Sequence, residues 1–213
     1  MLDFDLCVIA QRVARLGRSH LDVAAAALRG GARLIQLREK ALSDRALWEL
    51  AGQMRKLTRE REGMLIVNDR VDIALAVGAD GVHLGEHDIP VAAARRMMTA
   101  GAIIGASVSN PQEARAAEAE GATYVSVGSI FPTTSKPDAG EPVGIAAIGE
   151  IRDAVSLPVL AIGGINCDNV EAVIRGGAAG VAVVSAIAEA ENMVAATAAL
   201  LRLIRAARQG QSR

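Results

Sequence analysis

A parallel α/β fold is predicted for this chain by three observations. Short apolar runs alternate with helical segments about eight times in 213 residues. The runs are apolar throughout rather than at every second residue, as strands covered on both faces are. One phrase also recurs: Gly31-Ala-Arg-Leu-Ile-Gln-Leu, Gly78-Ala-Asp-Gly-Val-His-Leu, Gly121-Ala-Thr-Tyr-Val-Ser-Val and Gly177-Ala-Ala-Gly-Val-Ala-Val. In each, the glycine suits a helix end that needs positive φ, and the run behind it suits a buried strand.

Four further runs, at 6–10, 64–67, 102–106 and 158–162, complete the set of strands. Helical segments fill the gaps. Ser19-His-Leu-Asp22 reads as a capping box, and Asn110-Pro111-Gln112-Glu113 as an N-cap with proline at the first helical position. Strict alternation implies a parallel sheet. Eight such units in this length fit one TIM (β/α)8 barrel domain over residues 1–213, its last few residues a frayed tail. A doubly wound open sheet is the alternative. It usually carries a glycine-rich phosphate loop after the first strand, where this chain has Gln11-Arg-Val-Ala-Arg.

Composition narrows the function. Aromatics are 2% of residues, so the core must be built from Ala, Val, Ile and Leu. With 23 basic and 24 acidic residues, nothing suggests a nucleic-acid surface. Cys7 and Cys167 lie in no metal or redox spacing and are expected as reduced thiols of a cytoplasmic protein. The start, MLDFDLCVIAQR, has no basic n-region, and no run approaches the roughly 18 apolar residues of a membrane span.

In a barrel of this kind the chemistry sits just after each strand, at the C-terminal face. After the second strand, alternation puts Gln36, Arg38 and Lys40 on one side. They suit phosphate oxygens, or else a solvated strand end with a salt bridge through Glu39. Asn68-Asp69-Arg70 follow the third strand and Gly85-Glu-His-Asp88 the fourth. Asp69 and Asp88 can converge as ligands of Mg²⁺, or each can cap a helix. His83 is expected to line the barrel as a satisfied side chain, with His20 and His87 exposed. Ser107 brings a hydroxyl to the mouth. Gly163, Gly164 and Ser185, after strands seven and eight, suit a backbone phosphate cradle, or simple turns and a serine cap. No zinc set and no nucleophile elbow is visible.

Read in order, QLREK (36–40), VNDR (67–70), ADGVHLGEHD (79–88), GAS (105–107), GSIFPTTSKP (128–137), PVG (142–144), AIGGI (161–165) and VVSAI (183–187) resemble the thiamine-phosphate synthase family. The resemblance covers roughly residues 6–190 and implies a TIM barrel. It also implies a transferase that joins 4-amino-2-methyl-5-hydroxymethylpyrimidine diphosphate to a thiazole phosphate with release of pyrophosphate. It implies Gln36, Arg38, Lys40 and Asn68 at the pyrimidine diphosphate, Ser107 and Lys136 beside them, and Asp69 and Asp88 on Mg²⁺. Thr133 and Ser135 would take the thiazole phosphate, with Gly164, Val184 and Ser185 completing its site and Thr134 facing away. Arg38, Lys40 and Lys136 would be catalytic, by neutralising the leaving group. The implied partners are these two small molecules, with no nucleic acid and no membrane; oligomeric state stays open, a homo-oligomer included.

Two positions depart from the family pattern. Ile9-Ala10-Gln11 stands where Ile-Thr-Asp is usual, and Ser135 where threonine is usual. The nearest rival is a thiazole tautomerase, which has a histidine at or beside the position of Ser129 and lacks the diphosphate site. A sugar-phosphate isomerase and a non-catalytic phosphate sensor are further alternatives.

Overall fold

The computed structural model describes residues 4–135 and 140–211. Eight parallel strands close into a barrel in sequence order, and the eighth pairs with the first. They are β1 (Leu6–Ala10), β2 (Leu34–Leu37), β3 (Met64–Asn68), β4 (Gly81–Leu84), β5 (Ile103–Val108), β6 (Tyr124–Val127), β7 (Val159–Ile162) and β8 (Gly180–Val183). Helices α1 (His20–Arg29), α2 (Asp44–Glu60), α3 (Val71–Val77), α4 (Val91–Met97), α5 (Pro111–Ala119), α6 (Ala146–Arg152) and α7 (Val170–Arg175) connect them. A four-residue α8 (Ser185–Ala188) and a long α9 (Met193–Gln211) end the chain. Of the last few residues, expected as a frayed tail, those up to 211 are helix, and 212–213 lie outside the described residues. Among the described residues no helix is long and apolar enough to cross a membrane.

Two apolar layers explain why the strands lack alternation. Leu6, Val8, Ile35, Leu65, Val67, Val82, Ile104 and Val125 face outward and meet the helices. Cys7, Ile9, Leu34, Ile66, Ile103, Tyr124, Leu160 and Ala182 face inward and fill the barrel. Both faces of each strand leave water, so both must be apolar.

The helices begin where their caps sit. The Ser19 hydroxyl accepts from Asp22 N at 3.2 Å while the Asp22 carboxylate accepts from Ser19 N at 2.9 Å, the reciprocal capping box. Asn110 caps α5 with Pro111 at the first helical position. On α2, Leu47, Ala51, Met54 and Thr58 form the buried stripe at helical spacing.

Candidate active site

A cavity of about 560 Å³ opens at the C-terminal ends of the strands, within the range of small-molecule sites. Gln36, Arg38 and Lys40 all line it, as the alternation after β2 requires. Glu39 takes the opposite phase. Its Oε2 lies 3.4 Å from His20 Nε2 on α1, and its Oε1 accepts from Ala41 N at 2.6 Å. The expected exposed His20 is thus corrected: it is 5% exposed, because the capping box starts α1 with its first residue against the end of β2. Glu39 makes no salt bridge with the two cations beside it in sequence. Lys40 instead reaches β3, with Nζ 3.3 Å from Asp69 Oδ2.

Asp69 and Asp88 both line the cavity. Neither is the N-cap of the helix after it; those positions are Arg70 and Pro90, without side-chain caps. Asp69 has φ 63°, in the left-handed region that L-residues adopt at a cost of roughly 1–2 kcal/mol. Its N–H donates to His83 O at 2.8 Å, which holds the turn against β4. The Asp88 carboxylate is anchored by the Gly85 N–H at 2.6 Å. Burial raises the Asp88 pKa above the usual carboxylate range, and neighbouring Asp69 adds to this; the Gly85 N–H and Lys40 act the other way. Two crowded carboxylates beside open space fit a hard divalent cation that keeps water or phosphate oxygens as its other ligands. Among the described residues no cluster of three or more His, Cys, Asp or Glu offers an all-protein alternative.

The cavity floor is a polar network that the sequence reading missed in part. His83 is buried as expected, and it is satisfied: Nδ1 is 2.8 Å from the Tyr124 hydroxyl and Nε2 is 3.0 Å from Ser107 Oγ. Burial lowers its pKa to about 4, so the ring is neutral. Tyr124 is completely enclosed, and burial raises its pKa well above the ordinary phenol value. It lies on the inward phase of the recurring Gly-Ala phrase, a signal that could have found it. Room for the pair comes from Gly105: a Cβ there would stand 2.1 Å from Tyr124 Cζ and 2.5 Å from His83 Nδ1.

The opposite side is backbone. Gly163 and Gly164 have φ 99° and 65°, and side chains on them would collide with Ser129 and with Phe131–Pro132. The loop after β6 is laced to this turn by Ile130 N to Ile162 O (2.9 Å) and Phe131 N to Gly163 O (3.0 Å). That lacing carries Thr133 and Ser135 to the cavity wall, while Thr134 is exposed. Val184 and Ser185 line the wall beyond them. Arg18 Nη1 donates to Ala188 O and Ala190 O, both at 2.7 Å, and so fixes the far end of α8. Lys136 lies outside the described residues. All other expected site residues, Asn68 and Ser107 included, meet in this one cavity.

The family model described as thiamine monophosphate synthase matches residues 6–187. The chain belongs to that family. It is 52% identical to a thiamine-phosphate synthase of Roseiflexus castenholzii, over 91% of this chain and 85% of that one. It is 47% identical to the Moorella thermoacetica thiamine-phosphate synthase, over 98% and 99%. Thiamine phosphate pyrophosphorylase from Pyrococcus furiosus superposes with a TM-score of 0.87 at 41% identity, covering 96% of this chain and 97% of that one. Against the family pattern, Gln11 does not take the place of an acidic residue in the cavity. β1 contributes Cys7 and Ile9 to the lining, and Gln11 Oε1 is buried without a hydrogen-bond partner. Ser135 is retained at the wall, its N–H donating to Thr133 Oγ1 at 3.2 Å.

Proposed function

We propose that this cavity joins 4-amino-2-methyl-5-hydroxymethylpyrimidine diphosphate to a thiazole phosphate, giving thiamine phosphate and pyrophosphate. One observation carries the reading. Arg38, Lys40, Asp69 and Asp88 line one side of a single cavity, and Gly163, Gly164, Val184 and Ser185 line the other. Two anion devices of different chemistry suit two phosphorylated substrates.

On this reading Arg38, Lys40 and Lys136 hold the diphosphate, with Gln36, Asn68 and Ser107 placing the pyrimidine. Asp69 and Asp88 would hold Mg²⁺, which when bound supplies positive charge against the diphosphate oxygens. The bond from the pyrimidine methylene carbon to the diphosphate oxygen breaks, and its electron pair leaves with pyrophosphate. The 4-amino group stabilises the resulting cation by resonance. The thiazole nitrogen lone pair then forms the new C–N bond. Thr133, Ser135, Gly164, Val184 and Ser185 keep the thiazole phosphate in place for that attack.

No protein nucleophile or proton acceptor is needed, so catalysis is positioning and electrostatics. The neutral His83–Tyr124 floor suits this: its ring nitrogens are taken up by Tyr124 and Ser107, so it presents neither a charge nor a free base to the cavity. Arg38, Lys40, Asp69 and Asp88 are all kept, and neither Ser129 nor its neighbours is a histidine, which favours the synthase over the tautomerase. Turnover of both substrates with Mg²⁺, followed as pyrophosphate, tests the reading. Folded protein that binds both phosphates and releases none would point to a sensor.

A further inference from the structure

We propose that His20 is a positioning residue that holds Arg38 and Lys40 toward the diphosphate. The inference rests on the synthase reading for what those two cations bind. It starts from β2, whose backbone must leave the sheet at Leu37 and still present Arg38 and Lys40 to the same cavity. Past Leu37 the ladder continues by one long bond, Arg38 N to Ala10 O at 3.4 Å, which does not by itself set where the side chains beyond it point.

The structure supplies an external hold. His20 is the first residue of α1 and is packed behind this segment, 5% exposed. Its Nε2 stands 3.4 Å from Glu39 Oε2. The 3.4 Å approach is a charge–dipole contact rather than a well-aligned hydrogen bond, and Nε2 makes no other bond. Glu39 in turn accepts from Ala41 N, so the residue between Arg38 and Lys40 is tied both to α1 and to the chain beyond it. With Glu39 turned outward to His20, its carboxylate cannot neutralise Arg38 or Lys40. The clip thus fixes the direction of two cations and leaves Asp69, 3.3 Å from Lys40 Nζ, as the carboxylate beside them. Ser19 and Asp22 keep His20 in place through the capping box.

Steady-state kinetics of His20→Ala and His20→Gln test this, with each substrate varied in turn and the melting temperature measured alongside. His20→Ala should raise KM for the pyrimidine diphosphate about tenfold, as loss of an outer supporting contact typically does, and leave KM for the thiazole phosphate within about twofold. His20→Gln keeps a donor for the Glu39 carboxylate and should recover most of the loss. A purely structural role would lower the melting temperature and move both KM values together, or neither; either result overturns the proposal. Should His20→Ala not fold, Glu39→Ala carries the same test and should show the same one-sided rise. Calorimetric titration with inorganic pyrophosphate and Mg²⁺ separates this inference from the synthase reading. Were the wild type to bind pyrophosphate yet release none from the substrates, that reading would fail. The clip would still require about tenfold weaker pyrophosphate binding in His20→Ala, and unchanged binding would overturn it.

Discussion

Lys40 Nζ lies 3.3 Å from Asp69 Oδ2, so a cation from the end of β2 is joined to a carboxylate from the end of β3 across the cavity mouth. Lys40 is 61% exposed, and an exposed pair of this kind contributes little to stability. Its consequence is functional. Lys40→Ala should leave the melting temperature nearly unchanged and lower kcat by about 100- to 1000-fold, the usual scale for losing one preorganised electrostatic contact to developing charge. Paired thermal melts and initial rates decide this; equal losses in stability and rate would contradict it.

Asp69→Asn and Asp88→Asn remove one charge each from the crowded pair. Both variants should need at least about tenfold more Mg²⁺ for half-maximal rate, because two carboxylates are the whole protein contribution proposed for the ion. A Mg²⁺ titration of turnover reads this directly. Curves that overlay the wild type would remove the metal assignment.

The loop after β6 separates neighbouring hydroxyls. Thr133 lines the cavity and Thr134 is exposed. Thr134→Ala should keep KM for the thiazole phosphate within about twofold, whereas Thr133→Ala should raise it roughly 10- to 150-fold, the scale of one hydrogen bond to a charged group. Equal effects at the two positions would show that the loop rearranges before substrate binds.

The buried floor predicts a pH dependence of stability. His83 has a folded pKa of about 4, while an unfolded histidine titrates near 6.5. The unfolded chain takes the proton first, so the contribution is fully present above pH 6.5 and is lost as pH falls toward 4. The full difference is worth about 3 kcal/mol. Urea midpoints measured from pH 7 to 4 should fall more steeply for the wild type than for His83→Gln. Parallel slopes would mean that the ring is not buried neutral.

Gly105→Ala tests the same floor by volume. The added methyl would sit against the Tyr124 ring and His83, so it should cost about 1–3 kcal/mol or more in denaturant unfolding. A neutral result would mean that Tyr124 can move.

Much of this was legible in the chain because the physics was local. The apolar runs are strands buried on two faces, and each recurring glycine marks a helix end. Gln36, Arg38 and Lys40 fall on one side because successive residues of extended chain alternate. What was not legible depends on distant partners. His20 follows a polar cap residue and reads as solvent-facing; it is buried beside Glu39, nineteen residues away in sequence. The His83–Tyr124 pair depends on the register that sets His83 beside Gly105 and Gly105 beside Tyr124. The course of the loop after β6 depends on hydrogen bonds to Ile162 and Gly163, which no reading of the loop alone contains.

The central claim is that one cavity brings together two different phosphorylated substrates and expels pyrophosphate without a protein nucleophile. The most direct test is to incubate the protein with Mg²⁺, the pyrimidine diphosphate and the thiazole phosphate, and to quantify thiamine phosphate and pyrophosphate together. Equal amounts of the two products, with neither formed when either substrate is left out, is the predicted result. Pyrophosphate release that proceeds undiminished without the thiazole phosphate, or folded protein that forms neither product, would contradict it.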